Sequence, residues 1–216
     1  LNPLENLIEF FIHLDAHLGQ LTAQYGTFTY AILFFVIFAE TGFVFTPFLP
    51  GDSLLFAIGT IAALGSLNVY FCFFLVVAAA LTGDNVNYWI GHFLGDKILK
   101  KNSGRFIKKE YLDKTHAYFE KYGGKTIIIA RFVPIVRTFT PFTAGIGRMN
   151  YLNFISYSIV GALLWSGLLI FAGYFFGNLP IIKENFSIAI LVVILISILP
   201  AIIEIIKVKF FPKAVD

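Results

Sequence analysis

Charge is scarce in this sequence. Only 13% of its 216 residues are Asp, Glu, Lys or Arg, about half the share of an ordinary soluble domain. So little charge cannot cover a water-soluble surface, and disorder calls for the opposite balance of charge and apolar content. A net charge of +3 gives no basic face of the kind that binds nucleic acid. Cysteine is nearly absent: Cys72 stands alone within the apolar run 69–81, which excludes a disulfide framework and a cysteine metal site. The first 25 residues hold no Lys or Arg, and without a small-residue cleavage pattern no cleavable signal peptide is expected. There is no Walker-type phosphate loop, zinc-protease helix or nucleophile elbow. His13 and His17 lie one helical turn apart, but no third ligand accompanies them. No catalytic residue, metal or cofactor is expected, and the chain is not read as an enzyme.

What is abundant is apolar. Hydrophobic residues make up 58% of the chain, 26 residues are Phe, and the mean hydropathy is +0.81. This composition predicts a membrane protein. A spanning helix needs about 20 mostly apolar residues, and stretches 28–45, 151–177 and 186–206 satisfy that. Stretch 69–94 has the length but carries Asp84, Asn85, Asn87 and His92, and is read as a fourth span with those groups turned inward. Two stretches are too short or too broken. Residues 53–67 follow the breaker Pro47-Phe48-Leu49-Pro50-Gly51, and 126–147 is interrupted by Arg131, Pro134, Arg137, Pro141 and Gly145. Both read as re-entrant hairpins, near 46–67 and 126–147.

Orientation follows from the basic residues. Nine of the sixteen Lys and Arg lie between Lys97 and Lys125, and Lys207, Lys209 and Lys213 follow the last span. The loop 96–125 and the C-terminal tail are therefore expected on the cytoplasmic side. The count of crossings closes only if each hairpin returns to the side it entered from. The expected fold is an all-α polytopic membrane protein: about four spanning helices, two opposed re-entrant hairpins in a pseudo-inverted arrangement, and an N-terminal interfacial helix. Its organisation is an interfacial segment 1–25, a membrane core 28–177, and a last span with its tail over 178–216. Interrupted segments in matching positions of two halves point to a transporter site.

Four ionisable residues stand in or beside the broken segments: Glu40, Asp52, Arg131 and Arg137. Such a residue at the bilayer centre costs about 2.5–3.5 kcal/mol, so all four must be paired, hydrated or shallow. Bland readings are open for each. Asp52 suits a helix cap, Glu40 an interfacial position, and both arginines can snorkel to the cytoplasmic surface. Paired at mid-membrane, they suit chemistry instead. Two guanidiniums in a low dielectric grip a phosphate through forked hydrogen bonds, and desolvated carboxylates can exchange protons near neutral pH. Asp84 and Asn87 suit hydrogen bonding between helices, while Gly91 with Gly95 and Gly173 with Gly177 suit close helix packing.

The order of these residues resembles the bacterial DedA family. Glu40-Thr41-Gly42 followed by Pro47-Phe48-Leu49-Pro50-Gly51-Asp52-Ser53-Leu54-Leu55 is similar to its first signature. Gly83-Asp84 with Asn87-Tyr88-Trp89-Ile90-Gly91 is similar to its second. Tyr122-Gly123-Gly124-Lys125, Ala130-Arg131-Phe132-Val133-Pro134-Ile135-Val136-Arg137-Thr138, Pro141 and Ala144-Gly145 are similar to its third. The resemblance implies a multi-pass protein of the bacterial inner membrane, of the VTT-domain superfamily, with two opposed hairpins. It also implies physiology that depends on the proton motive force. Some members are implicated in returning undecaprenyl phosphate across the membrane, and eukaryotic relatives scramble phospholipids. Glu40 and Asp52 match the family's functional acids, and Arg131 and Arg137 its functional arginines.

The expected function is transfer of an anionic lipid headgroup, coupled to or biased by the proton motive force. Arg131 and Arg137 are expected to bind the phosphate and Glu40 and Asp52 to exchange protons. Asp84, Asn87, Pro50, Gly51, Pro134, Pro141 and Gly145 are expected to support them. The partners are membrane lipid and protons, not nucleic acid, and the glycine-rich faces permit a homodimer. A proton- or sodium-coupled transporter of a small ion or drug, and a membrane organiser that transports nothing, are the rival readings.

Overall fold

The computed structural model describes residues 20, 22, 24–42, 51–100, 123–177, 179, 180 and 192. The expected interfacial helix and histidine pair before residue 20, Pro50, most of the loop 96–125, and all but one residue of the span at 186–206 lie outside the described residues. Within them the chain forms six helices and no strand: α1 (Phe28–Gly42), α2 (Gly51–Ala63), α3 (Val69–Lys100), α4 (Lys125–Ala130), α5 (Pro134–Ile146) and α6 (Tyr151–Phe176).

Two of these helices carry segments long and apolar enough to cross a membrane. Val69–Leu94 of α3 and Tyr151–Phe176 of α6 each have 26 residues, about 39 Å at the helical rise. Their start signals are local. The Asn68 side chain accepts from the Phe71 amide at 3.0 Å, and the Asn150 side chain accepts from the Leu152 and Asn153 amides, which satisfies amides that a helix start leaves bare. The α6 sequence is apolar nearly all round, the pattern of a helix with no water-facing side. Phe35, Tyr70, Phe74, Leu152, Leu168 and Phe175 lie on the outer surface, as hydrocarbon contact requires.

The other helices are short. Of the expected span 28–45, the described helix is the 15-residue α1. Helix α2 has 13 residues, about 20 Å. After α4 the helix breaks at Arg131–Val133, and Val133 is extended before Pro134 opens α5. Both features follow from proline, which bars the helical conformation to its predecessor and suits the first helical position. Pro141 departs from expectation. The sequence pattern makes it an interruption, yet α5 runs through it to Ile146. Having no N–H, it leaves the Arg137 carbonyl without its usual helical partner.

Packing joins α2 to α6 and α5 to α3, with α1 also against α3. Each contact is made at glycine. A Cβ on Gly59 would meet the Ile170 carbonyl of α6, and one on Gly173 the Phe56 carbonyl of α2. In the other half, a Cβ on Gly91 would meet the Phe142 carbonyl and one on Gly145 the Tyr88 carbonyl. Gly42 and Gly83 meet similarly, with a Cβ on Gly42 falling 3.3 Å from the Gly83 Cα. These approaches bring backbones together as small residues do between helices in lipid. Two apolar clusters result. The larger includes Leu33, Ile37, Leu55, Ile58, Val76 and Ile170. The smaller gathers Tyr88, Ile127, Ala144, Met149 and Phe154.

Gly59→Ala should lower stability by about 1–3 kcal/mol, the usual cost of overpacking, read as the unfolding midpoint in detergent. Gly167→Ala, whose Cβ would meet only Phe73 at 3.5 Å, should leave the midpoint unchanged.

Candidate functional site

Asp84 lies 15 residues after Val69 on α3, about 22 Å along the roughly 39 Å of its apolar segment Val69–Leu94. At that depth five charged side chains meet: Glu40 from α1, Asp52 from α2, Asp84 from α3, Arg131 from the break after α4, and Arg137 from α5. All five are buried, Glu40 to 1% exposure and Asp84 to 4%.

Arg137 stands between two acids. Its Nη1 donates to Asp52 Oδ1 at 2.5 Å and its Nη2 to Glu40 Oε1. Arg131 has a different partner. Its Nη2 donates to Asp84 Oδ2, which also accepts from the Ser158 hydroxyl of α6. Trp165 of α6 lies between the two centres. Its Nε1–H donates to Asp52 Oδ1 at 2.9 Å, and its ring faces the Arg137 and Arg131 guanidiniums at 4.9 and 5.8 Å, within cation–π range.

Several bland readings give way here. Glu40 does not reach interfacial water, and neither arginine snorkels, because all three are buried in ion pairs. Asp52 lies in the first turn of α2, but its Oδ1 is occupied by Arg137 and Trp165 rather than standing free as a cap. The helix break aims Arg131 and Arg137 at one tryptophan ring although they share no helical face. Asp84 is an ion-pair partner, more than the interhelical hydrogen-bonding residue expected. His92 is half-buried beside Tyr88 and Trp89.

The supporting residues have specific tasks. The Glu40 carboxylate lies against the Gly51 backbone, where any Cβ would take the place of its oxygens. Fully buried Asn87 donates to the Thr138 carbonyl of α5 at 2.6 Å and the Thr41 carbonyl of α1 at 3.3 Å, fastening the helices that carry Glu40 and Arg137. Gly145 admits the α3 backbone. Ser158 and Trp165 were missed by sequence reasoning. The available signal was a tryptophan, one of two in the chain, inside an apolar span where its N–H needs a partner.

A small cavity lies among Thr41, Asp84, Arg131, Arg137, Thr140 and Trp165, with about 10 Å³ of space, near the least that holds a single water. Glu40 Oε2, Asn87 Oδ1 and Arg137 Nε are buried without a hydrogen-bond partner among the described residues.

Taken together, these features define a class: a helical membrane protein with a buried cluster of three carboxylates and two guanidiniums. Residues 49–175 match the model of the VTT domain, and the chain belongs to the DedA family of VTT-domain membrane proteins. It is 53% identical over 205 residues to Protein DedA of Escherichia coli (strain K12), covering 94% of each chain. It is 34% identical over 152 residues to the inner membrane protein YqjA of the same organism, covering 70% of this chain and 69% of that one. A membrane protein of Mycobacterium leprae is 44% identical over 168 residues, covering 78% of this chain and 75% of that one. No solved structure matches the chain.

Arg137→Ala should destabilise the protein by about 3–5 kcal/mol, because it strands two buried carboxylates. Adding Glu40→Gln and Asp52→Asn to that variant should restore most of the loss in the same detergent unfolding measurement.

Proposed function

We propose that this protein carries the phosphate headgroup of an anionic lipid across a bacterial inner membrane, with undecaprenyl phosphate the best fit and a phospholipid the related alternative. The observation that carries the proposal is the cluster itself. Two guanidiniums suited to a phosphate are held by three carboxylates in an apolar interior. Three negative charges against two positive ones leave one unbalanced, and a proton supplies the balance. The proposed proton carriers are Glu40 and Asp52, and the proposed phosphate ligands are Arg131 and Arg137. The polyprenyl tail stays in the bilayer while the headgroup crosses.

The proposed topology serves the same end. Helix α2 and the broken α4–α5 segment are re-entrant legs that enter from opposite faces, with α2 packed along α6 and α5 along α3. In support, α2 is too short for a core about 30 Å thick, and the α4–α5 break coincides with Arg131. Spans at 28–45 and 186–206 complete the proposed arrangement, with the C-terminus in the cytoplasm.

Purified protein in liposomes with an imposed pH gradient tests this reading. A polyprenyl phosphate and an ordinary phospholipid are followed from one leaflet to the other. The expected result is gradient-dependent movement of the polyprenyl phosphate, reduced at least about tenfold by Glu40→Gln and by Arg131→Ala, the loss of one charge-assisted contact. Movement of both lipids without a gradient would mean a scramblase. Movement of neither, with ion flux instead, would replace the proposal by ion transport.

A further inference from the structure

The two arginines are restrained differently. Arg137 is shared by carboxylates from α1 and α2. Arg131 pairs with the α3 carboxylate Asp84, whose same Oδ2 also accepts from the Ser158 hydroxyl of α6. Both centres open on the same small cavity. Asp84 takes the Arg131 Nη2, and Nη1 donates to the Ser158 carbonyl at 3.5 Å, so a phosphate that grips this guanidinium through its N–H fork contends with Asp84 for it. With about 10 Å³ of space, the cavity has no room for a phosphate beside Asp84. An anion that takes Arg131 must move Asp84 off it.

We propose that Asp84, steadied by Ser158, is an internal competitor, a carboxylate latch that occupies Arg131 at rest and gives it up to the substrate's phosphate. The inference rests on the headgroup reading above and adds a residue to it. The groups facing Asp84 are Arg131 from the α4–α5 break, Ser158 from α6 and, at longer range, Arg137 from α5. Glu40 of α1 and Asp52 of α2 are engaged with Arg137. Asp84 is thus the carboxylate with which an anion contends for Arg131. It acts through Arg131 and is a positioning residue.

The sign of one effect separates a latch from a strut. If Asp84 only braces Arg131, removing its charge loosens the site and weakens anion binding. A competitor gives the reverse, because Asp84→Asn frees the guanidinium while keeping the shape of the side chain. Calorimetry on the full chain in detergent, with inorganic phosphate and with farnesyl phosphate as probes, reads this directly. Asp84→Asn should lower the Kd about tenfold, in line with the loss of one charge-assisted hydrogen bond. Ser158→Ala, which loosens the latch without discharging it, should lower it by a smaller factor. Arg131→Ala added to Asp84→Asn should abolish the gain.

Tightening for both probes supports a latch that senses the phosphate alone. Tightening for farnesyl phosphate only supports one that acts on a lipid-borne phosphate. Binding by Asp84→Asn where the unaltered protein shows none supports the latch as well. Binding by the unaltered protein with equal or weaker binding by Asp84→Asn overturns the latch and leaves the headgroup reading standing. No binding by either overturns both. Should Asp84→Asn fail to fold, Ser158→Ala decides alone: tighter binding supports the latch, and equal or weaker binding overturns it.

Discussion

The ion pairs of Arg137 with Glu40 and Asp52 organise this protein, because a charge in a hydrocarbon interior is tolerable only when it is matched. Breaking one partner out of such a pair costs several times what the intact pair contributes. Arg137 therefore fixes three helices at once: α5, which carries it, and α1 and α2, which bring the acids. Arg131 does the same for the α4–α5 break, α3 and α6 through Asp84 and Ser158. Trp165 links the two centres, with its N–H on one acid and its ring under both guanidiniums. Every described helix but the short α4 thus places a side chain in the cluster.

Charges converge only where backbones can. Asp52 and Glu40 come from two helices and pair with one guanidinium on a third. Glycine contacts bring the backbones together: Gly59 and Gly173 seat α2 on α6, Gly91 and Gly145 seat α5 on α3, and Gly42 meets Gly83 beside Glu40. Gly51 acts most directly, since the Glu40 carboxylate fills the place of its missing side chain. The hydrophobic effect does little between helices in lipid, so the stability of the bundle rests on close packing and these polar contacts.

Much of this was legible in the sequence, because its causes are local. Pro134 marks the interruption of 126–147 where the helix does break, and two apolar stretches have the length of a membrane. The four charges stood out because each is costly where it stands. Their pairing was not legible. Nothing within a few residues of Asp84 says that it faces Arg131, 47 positions away, instead of another polar group in the same bundle. Nor does the pattern around Pro141 reveal that α5 continues through it, since that depends on the α3 packing that holds both turns in place. Trp165 and Ser158 were hidden for a related reason: on an apolar helix a single polar atom gives no periodic signal.

The charge balance makes proton and phosphate natural partners in the proposed transfer. At rest the guanidiniums are already satisfied by carboxylates, so an arriving phosphate meets an occupied site. Adding its charge to three ionised acids would leave a strongly negative cluster in a low dielectric, where like charges repel far more than in water. The site approaches neutrality with or without a phosphate. Either two carboxylates are ionised and hold the arginines while the third carries a proton, or the phosphate holds the arginines and the displaced carboxyls carry protons. Exchange between these arrangements would tie headgroup entry to proton uptake without a separate relay, because both ligands contend for the same five charges. On this view the closed cluster with its single-water cavity is the resting end of that exchange, and the carboxylates keep the arginines matched while no lipid is bound.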